Sequence, residues 1–245
     1  MFASLKSEFR KLFTVRTTYF LSLGVLLLMI FYAGYVQGYK IDAAHLRDSG
    51  YLASQVTGAI GALAIFVSLI AALLMTHEYS YSTIMYTLTS SNSRARSLFA
   101  KLVLISGFSV VFTLVVCSLS PVLTAVGIHL KHLHAVHQVF HYRDLLWRSL
   151  LFGWGYGMFG LMFGALLRNR VATITALFLV PGTVESLLGL LLKKNVQYLP
   201  FNSLLTMLNQ PSGSITPPKA ALVALSYIVG GWIIAFTLFS KRDAN

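Results

Sequence analysis

Ser54-Gln-Val-Thr-Gly-Ala-Ile-Gly-Ala-Leu-Ala-Ile-Phe-Val-Ser-Leu-Ile-Ala-Ala-Leu-Leu-Met-Thr76 contains no charged side chain. As a helix it rises about 1.5 Å per residue, enough to cross the roughly 30 Å hydrocarbon core of a bilayer. The apolar residues fall on every side of the helical wheel, so this is not the one-sided stripe of a soluble helix. Similar blocks recur along the chain, at residues 17–36, 102–128, 149–167, 171–192 and 220–239. The third block holds Pro121, which predicts either a kink or a helix that runs on past the bilayer. Only Arg168-Asn169-Arg170 separates the fourth block from the fifth, which predicts a tight turn. The expectation is an all-α membrane protein, one transmembrane domain over residues 1–245 with six transmembrane helices.

Composition agrees. Apolar residues make up 56% of the chain and charged residues 11%, against roughly 45–50% and 25% in soluble domains. The net charge of +12 would suggest nucleic acid in a soluble protein. Here the Lys and Arg residues sit between apolar blocks, where membrane proteins carry the charges that set their orientation, and no nucleic-acid partner is expected. With the termini inside, eleven basic residues are cytoplasmic and eight external; acids number three and four. That bias places both termini in the cytoplasm of a multi-pass protein of the cell membrane. Cys117 is the single cysteine, which excludes an intrachain disulfide. The first apolar block lacks a small-residue cleavage pattern behind it, so it is expected to remain as a membrane helix.

Ahead of that block, Phe2, Leu5, Phe9, Leu12 and Phe13 recur at helical spacing, with Lys6, Arg10 and Lys11 elsewhere on the wheel. This predicts an amphipathic helix over residues 1–16, lying in the membrane interface with its basic face towards the lipid headgroups. On the external side, residues 200–208 are apolar enough for a short helix dipping into the outer interface.

Several motifs bear on chemistry. Gly155-Tyr-Gly157-Met-Phe-Gly160 spells the dinucleotide fingerprint, which works only between a strand and a helix. Inside a membrane block, Gly153/Gly157 and Gly160/Gly164 read instead as small-residue pairs that let helices approach closely. No GxxxxGK[ST] phosphate loop occurs, so any ATP-driven work requires another subunit. Five of the seven histidines lie between His129 and His141. His137 and His141 have a spacing that can hold a metal on a helix, but a loop without that role is the better reading and no metal site is assigned. Glu185 follows Pro181-Gly182 within the fifth block. An intramembrane carboxylate is a functional candidate, and Lys193 and Lys194 are within reach as structural partners. A membrane enzyme would need convergent acid–base groups at helix ends, and a channel a filter or ring of charges; neither pattern is present.

The stretch after the second block, His77 to Lys101, is polar and on the cytoplasmic side in this topology. Ile84, Met85 and Leu88 within it have helical spacing. A short amphipathic helix here, between helices 2 and 3, would suit docking against a partner.

That stretch resembles the membrane subunits of ABC-2-type exporters, which commonly carry Glu-(Tyr/Phe)-x-x-Gly-Thr-Ile-x-x-x-Leu, then Pro-x-Ser-Arg, after their second helix. Glu78, Tyr79, Thr83, Ile84 and Leu88, then Ser93 and Arg94, align with it. Ser82 stands where Gly is usual, and Asn92 where Pro is common. Ser7 to Leu12 is similar to the family's N-terminal interfacial helix, and Tyr198-Leu-Pro200-Phe201 to its segment between helices five and six. The resemblance implies a permease that moves a hydrophobic or amphipathic substrate (lipid, peptide or drug) out of the cytoplasm. It implies a second permease subunit, identical or related, with helices two and five near the central pathway. Two copies of a separate P-loop ATPase would bind ATP and Mg, leaving this chain without a cofactor or catalytic residues. Glu78, Tyr79, Thr83, Ile84, Leu88, Arg94 and Arg96 would couple to those ATPases. Gln55, Thr57, Ser68, Thr173, Thr175 and Glu185 are the pathway candidates. The competing reading is a non-transporting six-helix assembly or immunity protein.

Overall fold

The computed structural model describes residues 9–10, 16–41, 46, 50–80, 94–133 and 141–241. Every regular element among them is helical. α1 (Arg16–Met29) continues without a break into a π-helical stretch, Ile30–Tyr39. α2 is Tyr51–Ser80, α3 Arg94–Leu130 and α4 Tyr142–Leu167. The fifth crossing is composite: α5 (Arg170–Leu179), a π-turn (Val180–Val184), α6 (Glu185–Leu192) and a 3₁₀ segment (Lys193–Tyr198). α7 (Pro200–Asn209) and α8 (Pro217–Lys241) complete the helices among the described residues.

Among the described residues six stretches are long and apolar enough to cross a bilayer: Tyr19–Tyr39, Tyr51–His77, Ser97–Leu130, Tyr142–Leu167, Arg170–Tyr198 and Pro217–Leu238. Each overlaps one of the six expected blocks, and several helices overrun them. α3 begins at Arg94 rather than near Leu102, and α4 at Tyr142 rather than near Ser149. The apolar window marks only the part of a helix that lies in oil, while backbone hydrogen bonding continues into the polar zone. α4 shows how: Asp144 in its first turn faces the positive end of the helix dipole. Its carboxylate accepts from Trp147 Nε1 at 2.9 Å and pairs with Arg148 one turn on. α3 runs 37 residues through Pro121 as a single helix, about 55 Å at 1.5 Å per residue.

The core forms where α2, α3 and α4 meet, with α7 and α8 against α4. The glycines of α4 set this packing. A Cβ on Gly160 would collide with the Ser68 carbonyl of α2, and one on Gly164 would lie 2.9 Å from Met75 Cβ. Gly153 and Gly157 face α3 instead, against Thr113 and Ser109. Both glycine pairs therefore act as close-approach positions, one towards each neighbour. The fingerprint residues Gly155 to Gly160 all lie inside α4. A second close crossing pairs Gly127 of α3 with Gly34 and Gly38 of the π-helical stretch.

Candidate functional site

The end of the bundle expected to face the cytoplasm gathers three chain segments. α2 runs on through His77, Glu78 and Tyr79 to Ser80, α3 starts at Arg94, and α4 gives way to α5 at Arg168-Asn169. Arg168 adopts a left-handed backbone (φ 54°), with its N–H bonded to the Gly164 carbonyl at 3.1 Å. Asn169 is extended and caps α5, its side-chain oxygen accepting from Ala172 N at 3.1 Å. This is the tight turn expected between the fourth and fifth blocks. It places the Arg168 guanidinium carbon 5.4 Å from the centre of the Tyr79 ring, within cation–π range. The turn is thus joined to the last turn of α2, where Glu78 and Tyr79 were expected to act.

Of the other coupling candidates, Thr83, Ile84 and Leu88 lie outside the described residues. Glu78, Arg94 and Arg96 are placed by their backbones, at the end of α2 and the start of α3. Sequence reasoning aligned Lys101 with the end of the coupling stretch but did not foresee its burial, 1% exposed within α3, and it gave Arg168 no contact with α2. A lysine opening an apolar block was the available signal for Lys101, and a cation just past a glycine-lined helix the signal for Arg168. Of the interfacial-helix residues, Phe9 and Arg10 are helical and exposed, while Phe2, Leu5, Lys11 and Phe13 lie outside the described residues.

The pathway candidates are spread along α2 and the fifth crossing. Gln55 and Thr57 are half-buried near the start of α2, with Thr57 Oγ1 bonded to Ser54 O at 2.8 Å. Ser68 is buried mid-helix and bonded to Ile65 O at 2.7 Å. Thr173 is buried near the start of the fifth crossing and bonded to Asn169 O at 2.8 Å, while Thr175 is exposed. Three of these hydroxyls therefore donate to their own helix. An apolar cavity of about 430 Å³ lies elsewhere, between α1, α2 and α3, lined by Val25, Met29, Tyr32, Ala59, Leu63 and Val116.

Glu185 is 2% exposed and faces the first turn of α7 rather than Lys193 and Lys194. Its Oε1 accepts from Phe201 N at 2.8 Å. Its Oε2 accepts from Asn202 N at 2.7 Å and from Asn202 Nδ2 at 2.6 Å. α7 itself lies where the apolar run 200–208 predicted a short helix. His141 is exposed just before α4 and His137 lies outside the described residues. Among the described residues no group of three or more His, Cys, Asp or Glu side chains could hold a metal.

The sequence profile of the ABC-2 family transporter proteins matches residues 4–191, well over half of the 245-residue chain. The match takes in the first four crossings, the fifth as far as Leu191, and the whole stretch between α2 and α3. No curated protein matches the chain.

Proposed function

The chain belongs to the ABC-2 family of membrane transporter proteins, and from that premise we propose that it is the membrane permease of an ATP-driven exporter. It moves a hydrophobic or amphipathic cargo (lipid, peptide or drug) outward across the cell membrane, with both termini in the cytoplasm. It pairs with a second permease, the same chain or a related one. Two P-loop ATPase subunits bind beneath and hold the ATP and Mg. The observation that carries this reading is the family match over residues 4–191.

Coupling runs through the end of the bundle where α2 leads into the 81–93 stretch. Glu78 anchors the inner end of α2, Arg94 and Arg96 contact the ATPase, and Arg168 stacks on Tyr79 in the last turn of α2. ATP-driven closure of the ATPases biases this end, and the bundle switches between inward and outward access as a two-state element. The apolar linings of the spans suit a cargo of low polarity, with Gln55, Thr57, Ser68, Thr173 and Thr175 as its few polar contacts.

The test is a pull-down of the tagged chain in mild detergent, from cells expressing the candidate ATPase, assayed for ATP hydrolysis. Co-purified hydrolysis that is lost or uncoupled in Glu78→Lys and Arg94→Glu supports the exporter. A chain that emerges with no ATPase removes it and leaves the assembly or immunity protein.

A further inference from the structure

α7 begins without a cap of its own. The first amide groups of any helix lack partners within the helix, and Leu199, at the capping position, has no side chain that can accept. Glu185, sixteen residues before Phe201, provides the acceptor: both carboxylate oxygens are engaged, by two backbone amides and the Asn202 side chain. Such charge-assisted bonds are about twice as strong as neutral ones, and a carboxylate at a helix N-terminus also gains from the helix dipole. On its other side α7 is seated by Phe201, whose ring lies 4.6 Å from that of Phe159 and 5.2 Å from that of Tyr156, centre to centre.

The fifth crossing changes its winding just before Glu185. Val180–Val184 is a π-turn containing Pro181, which has no N–H to donate, and Gly182, around which a Cβ would meet nothing within 4 Å. Local π-winding and proline are the usual sites of bending in a helix. A cleft of about 360 Å³ opens beside this turn, between α4 and α8, with Val180 on one side and Pro200 and Phe201 on another.

We propose that Glu185 is a positioning residue that bolts α7 to the outer half of the fifth crossing. α6, the 3₁₀ segment and α7 then move as one body about Val180–Val184, widening and narrowing the cleft. The coupling stands on geometry alone; its importance for transport rests on the exporter reading.

Two measurements test it. The first is amide hydrogen exchange on the full chain in lipid nanodiscs. Gln at position 185 offers one acceptor and one donor group to three donors, so Glu185→Gln is expected to speed exchange at Phe201 and Asn202 at least tenfold, with α2 and α4 unchanged. Asn202→Ala keeps both backbone bonds and should give a smaller rise; it also serves if Glu185→Gln fails to fold. Native exchange in these variants overturns the proposal. The second is the ratio of ATP hydrolysed to cargo exported with the partner ATPase. Asn202→Ala, at a residue outside the pathway candidates, should keep hydrolysis within twofold and lower export severalfold, a split that neither general destabilisation nor lost cargo contact would produce. Faster exchange with a native ratio also overturns the proposal. If the unmodified chain exports nothing, the exporter reading fails, while the exchange result still decides the coupling.

Discussion

α4 and the fifth crossing are built from similar residues, yet 67% of the most apolar part of one is buried and only 11% of the other. Both carry glycines and both are long enough to span a bilayer. Lipid tails are as apolar as leucine, so hydrophobicity cannot decide which helix is packed inside and which is left to lipid or another chain. Backbone access decides it. The α4 glycines at 153, 157, 160 and 164 each meet a neighbouring helix, whereas Gly182 in the fifth crossing meets nothing. The first helix is held by surface fit along its length. The half of the second beyond the π-turn is tied to α7 by one carboxylate.

The sharpest way to break this contrast is Gly160→Leu. Even the first added carbon would collide with the Ser68 carbonyl oxygen and lie 2.8 Å from Ser68 Cα, and backbone cannot turn aside as a side chain can. Separating α2 from α4 is expected to cost about 3 kcal/mol or more. The variant should lose its monodisperse peak in mild detergent or melt far below the parent. Parent-like melting would mean that the α2–α4 contact does not hold the core.

Gly153→Ala is a milder case, because the atom in its way is the hydroxyl of Thr113, which a rotamer change can move. The expected loss is about 1–2 kcal/mol. Adding Thr113→Ala removes the obstacle, so the double variant should recover much of the loss, and a thermodynamic cycle should show coupling of at least about 0.5 kcal/mol. Simple additivity would place the strain elsewhere. Gly182→Ala, in the fifth crossing, should shift stability by less than about 0.5 kcal/mol. If it matches Gly160→Leu, the two helices are not held differently after all.

The parts of this arrangement legible in the sequence are those written in local pattern. Uncharged runs gave the spans, glycines four apart gave the close-approach faces of α4, and Arg168-Asn169-Arg170 gave a turn whose Asn caps the next helix. What local pattern missed is tertiary. Glu185 looked like a lone membrane carboxylate with lysines nearby, because its partner amides lie beyond the rest of α6 and a 3₁₀ segment whose combined direction no periodicity encodes. Arg168 reached Tyr79 only once α2 and α4 were packed. The early start of α3 was hidden because Arg94 and Arg96 read as loop residues, although a helix is free to project charge beyond the bilayer.

The smallest expected effect addresses what covers the fifth crossing. Leu191 is 79% exposed and Phe20 of α1 is 73% exposed, and in one chain the two positions look alike. They differ if two permeases pair with their fifth helices near the centre, because only Leu191 would then be covered. Cysteine placed at either position should carry a nitroxide label with stability changed by less than about 0.5 kcal/mol, as for other exposed sites. The native Cys117 is 2% exposed and so reacts little. Oxygen accessibility should be high at both labels in chains kept apart by dilute detergent. On assembly with the ATPase it should fall severalfold at position 191 and stay constant at position 20. A fall at position 20 alone would move the partner to α1. No fall at either would leave the fifth crossing in lipid, with Glu185 still holding the half beyond the π-turn to α7.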